Sequence, residues 1–398
     1  MIRDLREQYN ANFRQENYEA MLDWIEQAYG HRPPFHVAET PVFFPNDLKE
    51  KLIDACREVS DVFLRPDFRK ISQAALRPEH EVPNETPHPT FLVIDLGICK
   101  DENGDYIPQM IEVQGFPSLY FYQNMIGEQA YRRFFDIPDD LTHRFGGLTS
   151  AAYVEKLRRI IYGNADPETT ILLEIEPEKQ ATAIDFYVSK KEISLPFVCV
   201  TDIKKRGRNL FYKNDEGKEI KIERIYNRVI FDELKQREDL EMGFKFTDDL
   251  DVHWVGHPNW FFRISKHTLP FINSQYVPET HFLTELSEIP DDLDHYVLKP
   301  LFSFAGMGVF MHPTRDIIDK LDHPENYILQ RKVTYEPVIP TLDDPAKCEV
   351  RMLLVWEDDA PRPELVTNLV RLAKAEMIGV RANKGMTWVG GSIGYFEP

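Results

Sequence analysis

The segment 296–310, with the sequence YVLKPLFSFAGMGVF, constrains the fold of this chain most, because it predicts a strand, a loop of small residues and a second strand. The first apolar run ends at Lys299-Pro300, where the proline prevents a sheet ladder from continuing. Ser303, Gly306 and Gly308 add little side-chain bulk to the loop, so its backbone can lie close against phosphate groups. The segment therefore predicts a polyphosphate site, and a plain glycine-containing β-hairpin is the alternative.

Two common nucleotide-binding motifs do not match this segment. The P-loop requires Lys-Ser or Lys-Thr directly after its last glycine, whereas Gly308 is followed by Val309. The dinucleotide-binding fingerprint requires a third glycine, which this segment lacks.

Composition limits the classes of function. The 398 residues suffice for two or three subdomains and a substantial core. A formal net charge of −19 argues against sequence-independent binding of nucleic acid, which depends on Lys and Arg contacts to phosphates. The four cysteines form no CxxC pair, and no apolar run approaches the roughly 18 residues of a membrane helix. We therefore expect a cytoplasmic protein of enzyme size that binds neither nucleic acid nor membrane, and the sequence indicates no oligomeric state.

Secondary-structure patterns predict an α/β to α+β fold with mixed sheets. Two apolar runs separated by a polar turn predict a hairpin of strands 91–97 and 109–115. A βαβ unit is predicted from a strand that starts at 169, a helix over 178–190 and a strand over 196–200. Four regions follow: a helical region 1–88, the hairpin with its following helices 89–163, the βαβ subdomain 164–250, and a region rich in strands 251–398.

The predicted hairpin carries the first group of candidate site residues. Glu112 and Gln114 project from one face of their strand, and Asp95 on the neighbouring strand shares that face if the register permits. Two carboxylates and an amide oxygen suit Mg²⁺, which takes few protein ligands besides phosphates and water. Both acids lie in apolar runs, where an uncompensated carboxylate is costly. The alternative is that they are ordinary acids in a chain that is rich in them.

Three further groups of candidates are weaker as local patterns. Lys266 opens a predicted helix, where a bound anion would offset its unfavourable charge, and a lysine that reaches the solvent is the alternative. Gln330 ends an apolar strand and can face a purine edge. The third group is a set of arginines on late strands, which meet either a carboxylate such as Glu349 or a transferred phosphoryl group: Arg351, Arg371 and Arg381.

Taken in order, these segments resemble the ATP-grasp superfamily, and most of all the synthetase part of its glutathionylspermidine-synthase-like branch. The branch has an Arg-x-Asp strand and a Glu-x-Asn strand, to which Val93-Ile-Asp95 and Glu112-Val-Gln114 are similar. The remaining similar segments are Ser265-Lys266 with Pro270, Leu298-Lys299-Pro300 with the loop to Gly308, Tyr327-Ile-Leu-Gln330, and Gly379-Val-Arg381.

The resemblance implies an ATP-grasp-like fold in which metal-binding strands precede the nucleotide-binding lobes of region 251–398, while region 164–250 lies on the substrate side. It implies ATP and Mg²⁺ as cofactors, and a ligase that joins a small-molecule carboxylate to an amine through an acyl phosphate. The implied roles are Asp95, Glu112 and Gln114 on Mg²⁺; Lys266, Lys299, Ser303, Gly306 and Gly308 on the phosphates; Gln330, Arg331 and Val333 beside adenine; and Arg381 on the transferred phosphoryl group.

Two departures from the family pattern keep other functions open. Val93 stands where the family has an arginine, and Gln114 where it has an asparagine. The alternatives are a nucleotide-binding protein without ligase activity, and an ATP-grasp-type kinase that phosphorylates a small molecule without joining an amine. Within the βαβ region, Tyr226-Asn227-Arg228 is expected to form part of the acceptor pocket.

Overall fold

The computed structural model describes residues 1–302, 308–376, 378–379 and 382–398. Within these ranges the chain forms a mixed α/β structure with several sheets, which confirms the general fold class expected from the sequence. In the same ranges, the helices are all too short or too polar to cross a membrane.

Eleven α-helices lie in the described ranges, and most of the long ones precede residue 194. They are α1 Arg3–Asn12, α2 Gln15–Tyr29, α3 Asn46–Asp61, α4 Phe68–Ile71, α5 Tyr120–Met125, α6 Arg132–Phe134, α7 Ser150–Tyr162, α8 Ala183–Ile193, α9 Phe231–Gln236, α10 Pro258–Arg263 and α11 Arg315–Asp319. A π-helical turn, Ile126–Tyr131, joins α5 to α6.

Seventeen strands are distributed over five sheets in the described part of the chain. They are β1 Val42–Phe44, β2 Phe91–Lys100, β3 Tyr106–Gln114, β4 Thr170–Glu174, β5 Phe197–Cys199, β6 Lys204–Arg206, β7 Asn209–Lys213, β8 Glu219–Ile222, β9 Arg224–Asn227, β10 His253–Val255, β11 Thr280–Phe282, β12 Tyr296–Pro300, β13 Tyr327–Arg331, β14 Lys347–Val355, β15 Glu364–Ala373, β16 Gly390–Ser392 and β17 Gly394–Phe396.

A five-stranded antiparallel sheet forms the centre of the fold, with the strand order β16-β15-β14-β2-β3. The predicted hairpin is present as β2 and β3, and β2 is buried along nearly its whole length because its apolar run packs on both faces. Asp95 on β2 lies opposite Glu112 on β3 and opposite Arg351 on β14. A bulge follows Asp95, so the pairing shifts before Leu96 meets Met110.

A parallel sheet with the order β10-β9-β4-β5 contains the predicted βαβ unit. Helix α8 connects β4 to β5, but it begins at Ala183 rather than at 178. The reason is Pro177, which opens a separate 3₁₀ turn over Pro177–Lys179. Since β5 lies on one side of β4 and β9 on the other, the order in which the chain adds strands reverses between β4 and β9.

A small antiparallel sheet, β11-β13-β12, carries the lysine of the 296–310 segment. In place of the predicted second strand, the described part of this segment forms a bridge, in which Leu298 and Phe310 exchange backbone hydrogen bonds of 3.1 and 2.9 Å. The 3₁₀ helix Lys266–Phe271 contacts both β11 of this sheet and β3 of the five-stranded sheet.

The two ends of the chain meet in the fold. β1, within the region predicted to be mainly helical, pairs in parallel with β17, so that Val42 lies opposite Gly394. A buried side chain supports the same junction, because Glu39 accepts a hydrogen bond of 2.7 Å from the backbone of Trp388. The division into four regions stays a prediction.

Candidate functional site

Asp95 lies at the centre of a buried charged cluster on the five-stranded sheet. Its side chain is inaccessible to solvent, and Arg351 on the neighbouring strand binds it with two hydrogen bonds of 2.6 Å, one from Nε to Oδ1 and one from Nη2 to Oδ2. Arg371 on β15 donates a third hydrogen bond, of 2.8 Å, to Oδ2. Burial alone would raise the pKa of Asp95, but the two guanidinium groups outweigh it and hold the pKa below its usual value.

The same arginines extend the cluster to a second buried acid. Glu349 on β14 accepts a hydrogen bond from Arg371 and another, of 2.7 Å, from the hydroxyl of Tyr335. Burial raises the pKa of Glu349, while Arg371 acts against this. Burial lowers the pKa of Arg371, but the carboxylates of Glu349 and Asp95 outweigh burial, so that the pKa of Arg371 is raised above its usual value. The prediction that a late-strand arginine meets Glu349 is therefore confirmed for Arg371.

Glu112 joins this cluster to the first lysine. Its Oε1 accepts a hydrogen bond of 2.6 Å from the amide of Gln114, two residues along the same face of β3. Its Oε2 lies 3.8 Å from Nζ of Lys266. Lys266 is buried at the start of the 3₁₀ helix, where Ser265 is the cap: its hydroxyl accepts a hydrogen bond from the backbone N–H of His267.

Lys299 brings the small sheet into the same site. Its Nζ donates a hydrogen bond of 2.6 Å to Oε1 of Gln330 on the neighbouring strand, and one of 3.0 Å to the carbonyl of Ile111 on β3. Burial lowers the pKa of Lys299 to about 8; Glu112 raises it and Lys266 lowers it further. The structure thus brings together six of the predicted site residues: Asp95, Glu112, Gln114, Lys266, Lys299 and Gln330.

The other predicted residues fall outside this group. Arg331 has a side chain 46% exposed and lies over the Tyr296 ring, 5.0 Å from its centroid, while Val333 is only partly buried. Gly308 is exposed with a φ of +71°, which favours glycine. Ser303, Gly306 and Arg381 lie outside the described residues.

The oxygen atoms of the predicted metal ligands are largely engaged by protein donors. Both carboxylate oxygens of Asp95 accept from arginines, and Glu112 faces an amide and an ammonium group. Among the residues that the structure describes, no group of three or more His, Cys, Asp or Glu side chains is arranged to hold a metal ion. This donor set does not fit a resident Mg²⁺, which requires free oxygens in near-octahedral geometry. The metal role of Asp95, Glu112 and Gln114 stays a prediction, and no step below depends on it.

A second polar cluster lies at the carboxyl end of the parallel sheet, next to the paired strands β4 and β9. Arg228, just after β9, donates to the carbonyl of Pro117, and its guanidinium lies 5.3 and 5.4 Å from the ring centroids of Phe116 and Phe186. Glu174, the last residue of β4, is buried, and burial raises its pKa to about 8 although the charge of Arg228 acts against this. Open α/β sheets bind ligands at the carboxyl ends of their strands, at the point where the strand order reverses.

Unpaired polar atoms mark this second cluster. Oδ2 of the fully buried Asp185, Nε of Arg228 and the hydroxyl of Tyr226 have no hydrogen-bond partner among the described residues. Burial raises the pKa of Asp185, with Arg228 acting in the opposite direction. Only the segment Tyr226-Asn227-Arg228 was expected here from the sequence. Glu174 and Asp185 were missed, although an acid inside an apolar strand or helix is a signal that pattern analysis can use.

The fold can now be compared with those of known proteins. No family model matches the chain, and neither does any curated protein sequence. Among solved structures, a glutathione synthetase-like effector from Globodera pallida, in its apo form, aligns over 96% of both chains with a TM-score of 0.58 at 11% identity. A protein from Methylobacillus flagellatus, provisionally named gamma-glutamylcysteine synthetase, aligns over 84% of both chains with a TM-score of 0.34 at 13% identity. The first similarity shows that this chain shares the overall fold of a glutathione synthetase-like protein.

Proposed function

We propose that this chain has an ATP-grasp-like architecture and is an ATP-dependent carboxylate–amine ligase. The observation that carries the proposal is the meeting of two buried lysines, Lys266 and Lys299, which come from separate segments and both lie near Glu112. Lysines are rarely buried without a function or a partner charge, and two in one site match the charge of a polyphosphate. The fold shared with a glutathione synthetase-like protein supports the same class.

In this proposal, the ATP phosphates lie against the ammonium groups of Lys266 and Lys299, and the base lies beside Gln330 and Arg331 at the end of β13 and beside Val333, which follows them. The amide of Gln330 supports this arrangement. Its Oε1 is held by Lys299, while its Nε2 is buried without a hydrogen-bond partner among the described residues. A purine nitrogen offers the acceptor that this donor lacks.

The chemistry requires two displacements. A carboxylate oxygen of the first substrate attacks the γ-phosphorus of ATP, the bond from that phosphorus to the bridging oxygen breaks, and ADP leaves. The amine nitrogen then attacks the acyl carbon, the acyl C–O bond breaks, phosphate leaves, and the amine loses one proton to form the amide. Cationic side chains lower both barriers by stabilising the charge that develops on phosphoryl oxygens, provided that water is excluded.

The polar cluster at the end of the parallel sheet supplies part of the acceptor pocket in this proposal. Arg228 is oriented by Pro117 and by two aromatic rings, and its Nε is free to donate within the described structure. A guanidinium group recognises a carboxylate in a fixed geometry. The acceptor pocket is thus suited to a small molecule that carries a carboxylate.

Calorimetric titration of the full chain with ATP tests the nucleotide assignment. Lys299→Met removes the charge but keeps most of the volume, and we expect it to weaken ATP binding at least tenfold. Lys320→Met changes an exposed lysine that is paired with Asp316, and should leave the affinity unchanged. Absence of ATP binding by the wild type, or equal binding by Lys299→Met, would refute the assignment.

A second candidate function is nucleotide binding without ligase activity. The observation that favours it is the engagement of Asp95 by Arg351 and Arg371, together with Val93 and Gln114 in place of the family's residues. Release of ADP in the presence of pooled carboxylates and amines would exclude this candidate. Analysis of the products also identifies a kinase, because a ligase releases free phosphate, whereas a kinase leaves the phosphoryl group on its substrate.

A further inference from the structure

We propose that the charged cluster around Asp95 binds the polyphosphate of the nucleotide without a divalent cation held by the protein, because arginine side chains supply the positive charge. The proposal rests on the nucleotide assignment above. It differs from the sequence-based expectation, in which Asp95, Glu112 and Gln114 coordinate Mg²⁺.

The first step of the argument is the state of Asp95. Arg351 binds Asp95 in a bidentate guanidinium–carboxylate pair with two hydrogen bonds of 2.6 Å. Arg371 adds a third hydrogen bond, of 2.8 Å. All three groups lie on adjacent strands of one sheet, which fixes their spacing. A cation that bound Asp95 would have to displace at least one of these charge-assisted hydrogen bonds from the arginines.

The second step concerns Glu112, the other predicted carboxylate ligand. Its two oxygens face different donors, the amide of Gln114 at 2.6 Å and the ammonium of Lys266 at 3.8 Å. The positive charge of Lys299 also interacts with the carboxylate of Glu112. A divalent cation placed on Glu112 would therefore lie close to ammonium groups that repel it.

The third step is the balance of charge over the whole cluster. Four basic side chains (Lys266, Lys299, Arg351 and Arg371) meet three acidic ones (Asp95, Glu112 and Glu349). When all seven are ionised, the cluster carries one positive charge in excess. An excess of positive charge favours an anion such as a phosphate chain over a divalent metal ion.

Calorimetry with and without metal tests the proposal. The full chain is titrated with ATP in EDTA and again in excess Mg²⁺, and we expect the two affinities to agree within about threefold. Affinity at least tenfold higher with Mg²⁺ would overturn the proposal. If ATP binds in neither condition, the nucleotide assignment fails. A titration with Mn²⁺ alone then decides whether the cluster holds a divalent cation. Saturable Mn²⁺ binding that Glu112→Gln abolishes would overturn the proposal; no binding is expected.

An arginine variant provides the second test. Arg371→Gln removes one donor from Asp95 and one from Glu349, and its side chain is partly exposed, which favours a folded variant. We expect it to weaken ATP binding in EDTA at least tenfold and to make binding depend on Mg²⁺. Arg362→Gln, in an exposed pair with Asp61, is the matched control and should change neither property. Unchanged binding in EDTA by Arg371→Gln would contradict the role given to the arginines.

Discussion

Lys299 donates a hydrogen bond of 3.0 Å from Nζ to the carbonyl oxygen of Ile111, although 188 residues separate the two in sequence. The contact joins the small sheet to the five-stranded sheet and places the ammonium group beside Glu112. The hypothesis of a shared phosphate site requires Lys299 and Glu112 to be neighbours in space, and the structure meets this requirement. Since its pKa is lowered to about 8, Lys299 also makes the site sensitive to pH.

The affinity for ATP should fall as pH rises through about 8, because Lys299 loses its proton there and attracts phosphate less. Burial, which lowers the pKa, is the main cause. Between about pH 7.5 and 9.5 the charge of ATP itself stays constant, so a change in affinity comes from the protein. We expect the affinity to fall by at least about threefold over this range. Calorimetry at several pH values measures it. In Lys299→Met the affinity for ATP should be low and independent of pH over the same range. If this variant shows the same pH dependence as the wild type, another group causes the change in affinity.

The free energy of unfolding should fall by about 3–5 kcal/mol in Asp95→Asn, because Arg351 and Arg371 lose the buried charge that compensates them. Urea denaturation monitored by circular dichroism measures the change. The matched control is Asp61→Asn, whose exposed pair with Arg362 contributes at most about 1 kcal/mol. A loss in Asp95→Asn no larger than in the control would show that the arginines find other partners.

The contribution of Asp95 should also depend on pH. Its folded-state pKa lies below the usual value of 3.8, so its stabilising effect is fully present above that value and is lost as pH falls through the lower folded-state pKa. The difference in stability between wild type and Asp95→Asn should therefore narrow below about pH 4. A difference that stays constant down to acid unfolding would contradict the assigned shift.

Local sequence patterns were sufficient to predict the strands that carry the site. The runs around Asp95, Glu112 and Lys299 are apolar and bounded by turn residues, and these properties depend only on neighbours in the sequence. The βαβ unit was found for the same reason, and its helix start was misplaced because a proline opens a separate turn at Pro177.

The partners of those site residues could not be predicted in the same way. Arg351 meets Asp95 because β14 pairs with β2 in one particular register, across 256 residues of sequence. A shift of one residue would turn Arg351 to the other face of the sheet. That register is set by packing of the whole core, for which a local pattern holds no information. The pairing of β1 with β17 escaped prediction for the same reason.

Glu174→Gln should stabilise the fold at about pH 8 and have little effect at about pH 5. Burial raises the pKa of Glu174 from 4.5 to about 8, so the folded state holds a proton that the unfolded state has lost between these values. Stability therefore falls as pH rises from 4.5 to about 8, and glutamine, which cannot ionise, removes this penalty. The gain at pH 8 should be roughly 2–4 kcal/mol in urea denaturation. Glu168→Gln, an exposed acid of the same subdomain, is the control; an equal gain there would assign the effect to the net charge of −19.

Glu112→Gln should lower ATP turnover at least tenfold, because the carboxylate positions the ammonium group of Lys266 for the phosphates, while the free energy of unfolding changes by less than about 1 kcal/mol. The side chain of Glu112 is partly exposed, and a glutamine at this position keeps an oxygen that can accept the hydrogen bond from the amide of Gln114. Turnover is measured as ADP release with pooled carboxylates and amines, and stability by urea denaturation. Glu102→Gln, in the exposed turn of the same hairpin, should behave as the wild type in both assays. If Glu112→Gln keeps full turnover, Glu112 acts only as a structural partner of Gln114 and Lys266, and the reacting groups must lie elsewhere.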